Sequence, residues 1–443
     1  MEPSTPSSPA WAGHPKGSTD YRRLLAALFC AGVATFAQLY SLQGVLPQIA
    51  AHFHIGAADA ALTVSLATVG LAVAVIPWSV VADRVGRVRA ISVSVIAATA
   101  LGLLVPLAPT YPLLLTGRFL EGMALGGVPA VAIAYLTEEI ERRHSARAAG
   151  IYVAGTTIGG LLGRVVAGPI AETVHWRLGV FTVAVLCALA AVGFITLAPR
   201  PHGFVPVRAD GPDSRLAHRL ATHLRSPRQL ALFAQAFLLM GGFVALYNFL
   251  GFRLTAAPFD LPASVVSLVF FAYLAGTWAS SRAGAEASRF GRKPVLLLSI
   301  TVMAVGVALT LSSNLAIILG GLVTATIGFF GAHAVASGWT GAQAGTGKAQ
   351  ASSLYNLAYY SGSSALGWFG GVAFDAQGWP AVAFTVLSLT VVAGVIAAVV
   401  LPHNDSRRPQ LGQMNGTSCK SGHNRVDSPN ATRSAPAGRI GYS

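Results

Sequence analysis

The sequence is short of charge, of cysteine and of nucleotide-binding signatures, and each shortage removes a class of protein. Only 10% of its 443 residues are Asp, Glu, Lys or Arg, whereas soluble domains carry about 25%. So few charges cannot clothe a water-facing surface, which excludes a large soluble protein. Three cysteines supply neither a disulfide framework nor metal-ligand spacing. Cys30 and Cys187 lie in apolar runs as small core residues, and Cys419 lies in a polar tail. No Gly-x-x-x-x-Gly-Lys-[Ser/Thr] loop occurs, so an ion gradient or the substrate's own gradient is expected to supply energy. Clustered catalytic His or acids are missing from the apolar runs, which argues against a membrane-embedded enzyme. The polar, Pro/Ser-rich residues 1–23 contain no apolar leader, so the first apolar run is expected to be retained as a signal-anchor.

What is present is hydrophobicity: 53% apolar residues and 48 glycines, with a mean hydropathy of +0.61. Runs long enough to cross about 30 Å of hydrocarbon fall at 24–50, 60–82, 89–108, 111–136, 147–171 and 177–198. A second set falls at 229–254, 263–285, 294–312, 314–339, 350–374 and 378–401. The expected fold is an all-α membrane protein of twelve transmembrane helices in two pseudo-symmetric six-helix bundles, 24–198 and 229–402. An N-terminal tail (1–23), a basic, proline-containing linker (199–228, with a short amphipathic helix near 214–225) and a polar, disordered tail (403–443) complete the chain.

The net charge of +14 would suit nucleic acid, but its distribution speaks against that partner. With both termini in the cytoplasm, 26 of the 30 Lys and Arg residues fall on the cytoplasmic side, as the positive-inside rule requires. The expected location is therefore the inner membrane, multi-pass, with the Asn415 and Asn430 sequons hidden in a cytoplasmic tail. Arg177 and Arg253 lie near the outer ends of spans, while Arg118 and Arg164 fall inside them. The two halves also echo one another. Ala82-Asp83-Arg84-Val85-Gly86-Arg87 follows the second span, and Ala287-Ser288-Arg289-Phe290-Gly291-Arg292-Lys293 follows the eighth. Tyr152-x-x-Gly155 lies 72 residues beyond Asp83, and Tyr359-x-x-Gly362 lies 74 beyond Ser288. Matched motifs at matched spacing indicate duplicated halves.

These loops resemble the major facilitator superfamily, whose second-to-third loop reads Gly-x-x-x-Asp-Arg-x-Gly-Arg-[Arg/Lys]. Residues 79–88 match it except at Ser79 and Val88, and the copy at Gly284–Lys293 replaces the acid with Ser288. The resemblance implies a cytoplasmic gate of Asp83, Arg84, Gly86, Arg87, Arg289, Gly291 and Arg292, which latches the inner side while the transporter faces outward. A plain positive-inside anchor is the simpler reading of the arginines. Leu115-Thr-Gly-Arg118-Phe-Leu-Glu121-Gly122 resembles the family's Arg-x-x-x-Gly motif, associated with proton coupling in antiporters. Arg118 and Glu121 share a helix face at spacing three. Charges within a span cost roughly 2.5–3.5 kcal/mol each, so they should face inward. Glu121 either carries a proton or forms a static neutralising pair with Arg118. The glycines Gly155, Gly159, Gly160 and Gly163 allow close helix packing and resemble a variant found in bacterial drug or sugar efflux carriers. Arg164 is expected to neutralise Glu121 or to meet an anionic or polar substrate group.

Cavity candidates are Gln38, Tyr40, Gln43, Tyr247, Asn248, His333, Asn356, Tyr359 and Tyr360. The function expected is proton-coupled efflux of a small organic compound (drug, sugar or metabolite) by alternating access. An importer or facilitator, or a sensor built on the same fold, is the alternative. The expected partners are the substrate, protons and the lipid bilayer, with no nucleic acid, no cofactor and no metal, in a monomer.

Overall fold

The computed structural model describes residues 11–204, 220–344 and 347–402, so the first half of the expected helix near 214–225 and the tail at 403–443 lie outside the described residues, while 220–224 are helical. Ten membrane-length helices run from α1 (Thr19–Phe53) through α2 (Ala57–Val85), α3 (Arg87–Leu107), α4 (Tyr111–Glu139), α5 (Arg147–Thr173) and α6 (Trp176–Leu197). They continue as α7 (Pro227–Thr255), α8 (Ala263–Phe290), α9 (Arg292–Leu309) and α10 (Leu315–Gln343). The last two expected spans follow within Gln350–Val400, separated at Gln377 and at Gly378 with φ 68°. The break yields two legs, α11 (350–376) and α12 (379–400). Glycine without a Cβ enters that left-handed region freely, and Pro380 cannot continue a regular ladder.

Local chemistry explains the ends. Ser18, Ser226 and Asn314 accept the first free amide protons of α1, α7 and α10. Gly86 (φ 98°) and Gly291 (φ 93°) make the tight α2–α3 and α8–α9 turns, as the paired loop motifs require. Along the outside, Leu189, Ile76 and Val399 are exposed apolar side chains, which in water would be a liability but in hydrocarbon is the solvent-facing surface.

Each half packs by the same device. Gly155, Gly159 and Gly163 place α5 so near α1 that a Cβ would meet the carbonyls of Phe29, Val33 and Ala37. Gly362 does the same for α11 against Phe237 of α7. An apolar groove between α2, α3 and α4 (Trp78, Val81, Val93) has its counterpart between α8, α9 and α10 (Trp278, Leu298, Ile327).

The halves meet unevenly along their length. At the end remote from the termini, Asp375 of α11 accepts the backbone N–H groups of Ala57 (2.9 Å) and Ala58 (3.0 Å) at the start of α2. Glu172 of α5 accepts the Ser264 amide of α8 at 2.8 Å. Nearer the middle, the Thr68 and Ser364 hydroxyls are 2.6 Å apart, and Gln43 donates to Asn248 at 2.6 Å. Among the described residues every side-chain hydrogen bond between the halves lies in this remote or middle zone. At the terminal end Arg87 pairs with Glu138, His223 of the linker with Gly347, and Lys293 with Leu401.

Candidate functional site

Two buried arginines define the chemistry. Pro47 removes an amide donor and opposes regular helix near Gln43, and α1 is interrupted after Leu39 before resuming at Leu46. Arg118 of α4 fills the break. Its Nε donates to the Thr63 carbonyl (3.0 Å), Nη1 to the Gln38 carbonyl (3.3 Å) and Nη2 to the Leu39 carbonyl (2.6 Å). Nη1 also donates to Glu121 Oε2 at 2.5 Å, and both side chains are wholly buried. The expected pair therefore forms, inside the first half. Glu121 Oε1 lies beside the Gln38 amide over Gly102, whose missing side chain leaves them room. Gln38 accordingly serves the ion pair, in place of the cavity-lining position expected of it.

Arg164 does not reach Glu121. It points from α5 to the junction of the halves, where Nε donates to Gln43 Oε1 and Nη1 to the Gly160 carbonyl, each at 2.6 Å. Its guanidinium lies 3.9 Å from the Tyr40 ring centre, 4.8 Å from Tyr273 and 5.3 Å from Phe270, the geometry of cation–π attraction. Gln43 passes the contact to Asn248 of α7, so one polar chain links α5, α1 and α7 across the molecule. Tyr360 is 5.3 Å from Tyr359, which is 4.9 Å from His333.

The remaining candidates separate by position. Tyr40 and Gln43 contact Arg164 directly, Asn248 is joined to it through Gln43, and Tyr359 and Tyr360 lie within electrostatic reach of Tyr40. Tyr247 turns into the second half and pairs its hydroxyl with Thr326 at 2.7 Å. His333 Nδ1 is engaged by the Tyr355 hydroxyl at 3.0 Å, and Asn356 is exposed on α11. No sequence pattern singles out Tyr273 and Phe270 within their apolar run, and their closeness to Arg164 is a tertiary fact.

At the terminal end Asp83 is held by Arg87 at 2.5 Å, and Arg87 also binds Glu138 at 2.9 Å. The cluster is thus built within the first half, with Glu138 an unanticipated third member. Arg84 and Arg289 are exposed, and Arg289 lies over the Phe290 ring. The group with metal-ligand chemistry among the described residues is His14, Glu139 and His202, whose ligand atoms lie within 4.8 Å of one another. It docks the N-terminal segment on the end of α4, far from the arginines in the chain's interior.

Among the described residues, twelve membrane-length legs in two equivalent halves, with a polar and aromatic junction between them, make a membrane transporter rather than an enzyme. The chain belongs to the Major Facilitator Superfamily, whose family model matches residues 28–287. It is 35% identical to the uncharacterized MFS-type transporter YybF of Bacillus subtilis (strain 168), over 85% of this chain and 93% of that one. It is 37% identical to the inner membrane transport protein YnfM of Escherichia coli (strain K12), over 85% and 90%. Among solved structures, a point mutant of the nucleoside transporter NupG superposes with a TM-score of 0.71 at 13% identity, covering 86% of this chain and 100% of that one; this likeness concerns the fold.

Proposed function

We infer that the chain is a secondary transporter of the inner membrane, with both termini cytoplasmic, that exports a small organic compound in exchange for protons. The observation that carries the alternating-access part of this reading is the uneven meeting of the halves around the Arg164 junction. Hydrogen bonds between the halves close the end remote from the termini, while at the terminal end Arg87 pairs with Glu138 and the linker's His223 with Gly347. A site at the junction is then reached from the cytoplasm, and breaking the remote contacts would transfer access to the other side. YnfM, named as an inner membrane transport protein, supports the location.

Glu121 is the proton carrier in this reading. Its Oε1 is buried and makes no hydrogen bond of normal geometry, so a proton there would neutralise the carboxylate and loosen its hold on Arg118. Arg118 would then bear on backbone carbonyls alone, that of Thr63 in α2 and those of Gln38 and Leu39 in α1, the latter at the break next to Tyr40 and Gln43. Protonation inside the first half is thereby coupled to the junction.

The four hydrogen bonds of Arg118 favour a second reading, a facilitator in which Arg118 and Glu121 are a permanent brace. Proteoliposomes separate the two. An exporter concentrates substrate against its gradient when a pH difference is imposed, and Glu121→Gln abolishes that response while leaving exchange at equal pH. Flux indifferent to the pH difference in the unmodified protein establishes the facilitator instead.

A further inference from the structure

The junction is lined by donors that have nothing to donate to. Arg164 is 3% exposed, and among the described residues no carboxylate pairs with it. Its Nε and Nη1 are engaged by neutral acceptors, Gln43 Oε1 and the Gly160 carbonyl, while Nη2 has no protein partner. The hydroxyls of Tyr40, Tyr273, Tyr359 and Tyr360 likewise make no hydrogen bond among the described residues. None of the four belongs to the polar atoms sealed from solvent, unlike the hydroxyls of Tyr21 and Tyr152. Tyr40 and Tyr273 flank the guanidinium, and Tyr359 lies within electrostatic reach of both.

A buried cation without a counter-ion is costly unless something supplies the charge. Arg118 shows how this chain handles the problem internally, by placing Glu121 against it. At the junction the acid is missing, and the open groups are a guanidinium N–H₂, which only donates, and four phenol hydroxyls, which can donate or accept, with Gln48 Oε1 an open acceptor in the adjoining cleft. Such a lining matches a ligand rich in acceptors that carries negative charge. One positive charge balances one negative charge, which favours a carboxylate over a phosphate monoester of nearly twice the charge. The aromatic faces around the guanidinium suit a flat, apolar body.

The geometry points to an organic monocarboxylate with a flat, unsaturated body as the substrate class, its carboxylate on Arg164 and the tyrosine hydroxyls of α1, α8 and α11 completing its hydrogen bonds. This rests on the transport reading above, and equilibrium binding tests it independently of flux. The probes are benzoate and trans-cinnamate, each compared with its uncharged methyl ester and amide, and ethidium as a cation. Thermal stability of the full-length protein in nanodiscs is the readout, since a ligand of the native state raises it.

Benzoate or cinnamate is expected to stabilise the protein at up to about 10 mM, and the esters, amides and ethidium to do so far less. Arg164→Gln should weaken carboxylate binding at least about thirtyfold, and Arg164→Lys should restore part of it. Tyr273→Phe and Tyr359→Phe, which keep the ring and remove one hydroxyl, should each weaken it roughly two- to tenfold. These milder variants carry the test if Arg164→Gln does not fold. No carboxylate-dependent shift at about 10 mM, equal shifts by acid and ester, or unchanged affinity in Arg164→Gln overturns the assignment. Flux of an uncharged compound without carboxylate binding refutes the anion site alone. Arg164-dependent binding without flux refutes the transport reading and leaves the site.

Discussion

The interior of the first half and the junction between the halves each hold a buried arginine, and they treat its charge in opposite ways. Arg118 has an acid at 2.5 Å and three backbone carbonyls. Arg164 has an amide oxygen, one carbonyl and a set of aromatic faces. The first arrangement is closed and belongs to the fold. The second is left open on one side, which an evolved interior tolerates where a ligand completes it. The difference teaches that burial alone does not tell a structural charge from a functional one; the state of its partners does.

The sharpest way to break the comparison is to delete the acid. Glu121→Leu leaves Arg118 as an uncompensated buried cation and should cost about 3–5 kcal/mol of stability, read as a large fall in melting temperature in nanodiscs. Arg164→Gln removes a charge that has no counter-ion, so its stability should stay within about 1 kcal/mol of the parent. Equal losses in the two variants would mean that Arg164 is also part of a closed structural pair.

The contacts between the halves should affect access more than folding. Asp375→Asn weakens two charge-assisted bonds to the Ala57 and Ala58 amides, a change of about 1.5–3 kcal/mol for bonds to a charged group. Spin-label distances across the remote end should lengthen in this variant while its melting temperature changes little. A drop in melting temperature with unchanged distances would count against these bonds as a gate.

Within each half, Gly163→Ala and Gly362→Ala place a methyl against the carbonyls of Ala37 and Phe237, and overpacking of this kind costs about 1–3 kcal/mol. Similar losses in both would extend the equivalence of the halves to their energetics. The smallest effect is expected at the terminal end. Asp83, whose side chain is 41% exposed, pairs with Arg87, and Asp83→Asn should change stability by no more than about 1 kcal/mol. A larger change would show that the cluster braces the first half as strongly as the Arg118 pair does.

The helical legs and their order were legible in the apolar runs, because a bilayer demands about twenty apolar residues per crossing and satisfied backbone within each. The last pair is also two helices, separated by the non-helical residues Gln377 and Gly378. The pairing of Arg118 with Glu121 was legible too, because spacing three puts both on one face of one helix. Arg164 was recognisable as unusual, but its surroundings were not. Tyr40, Gln43, Tyr273 and Asn248 come from α1, α8 and α7, and no local pattern relates residues so far apart along the chain.

Composition and periodicity thus sufficed for the class of protein, the number of crossings and the duplicated plan, since these follow from local chain physics and the solvent. Tertiary packing decided which charges are neutralised and which remain open, because a counter-ion is a matter of distance in space. It set Glu121 against Arg118 and left Arg164 between the rings of Tyr40 and Tyr273, with no carboxylate beside it among the described residues.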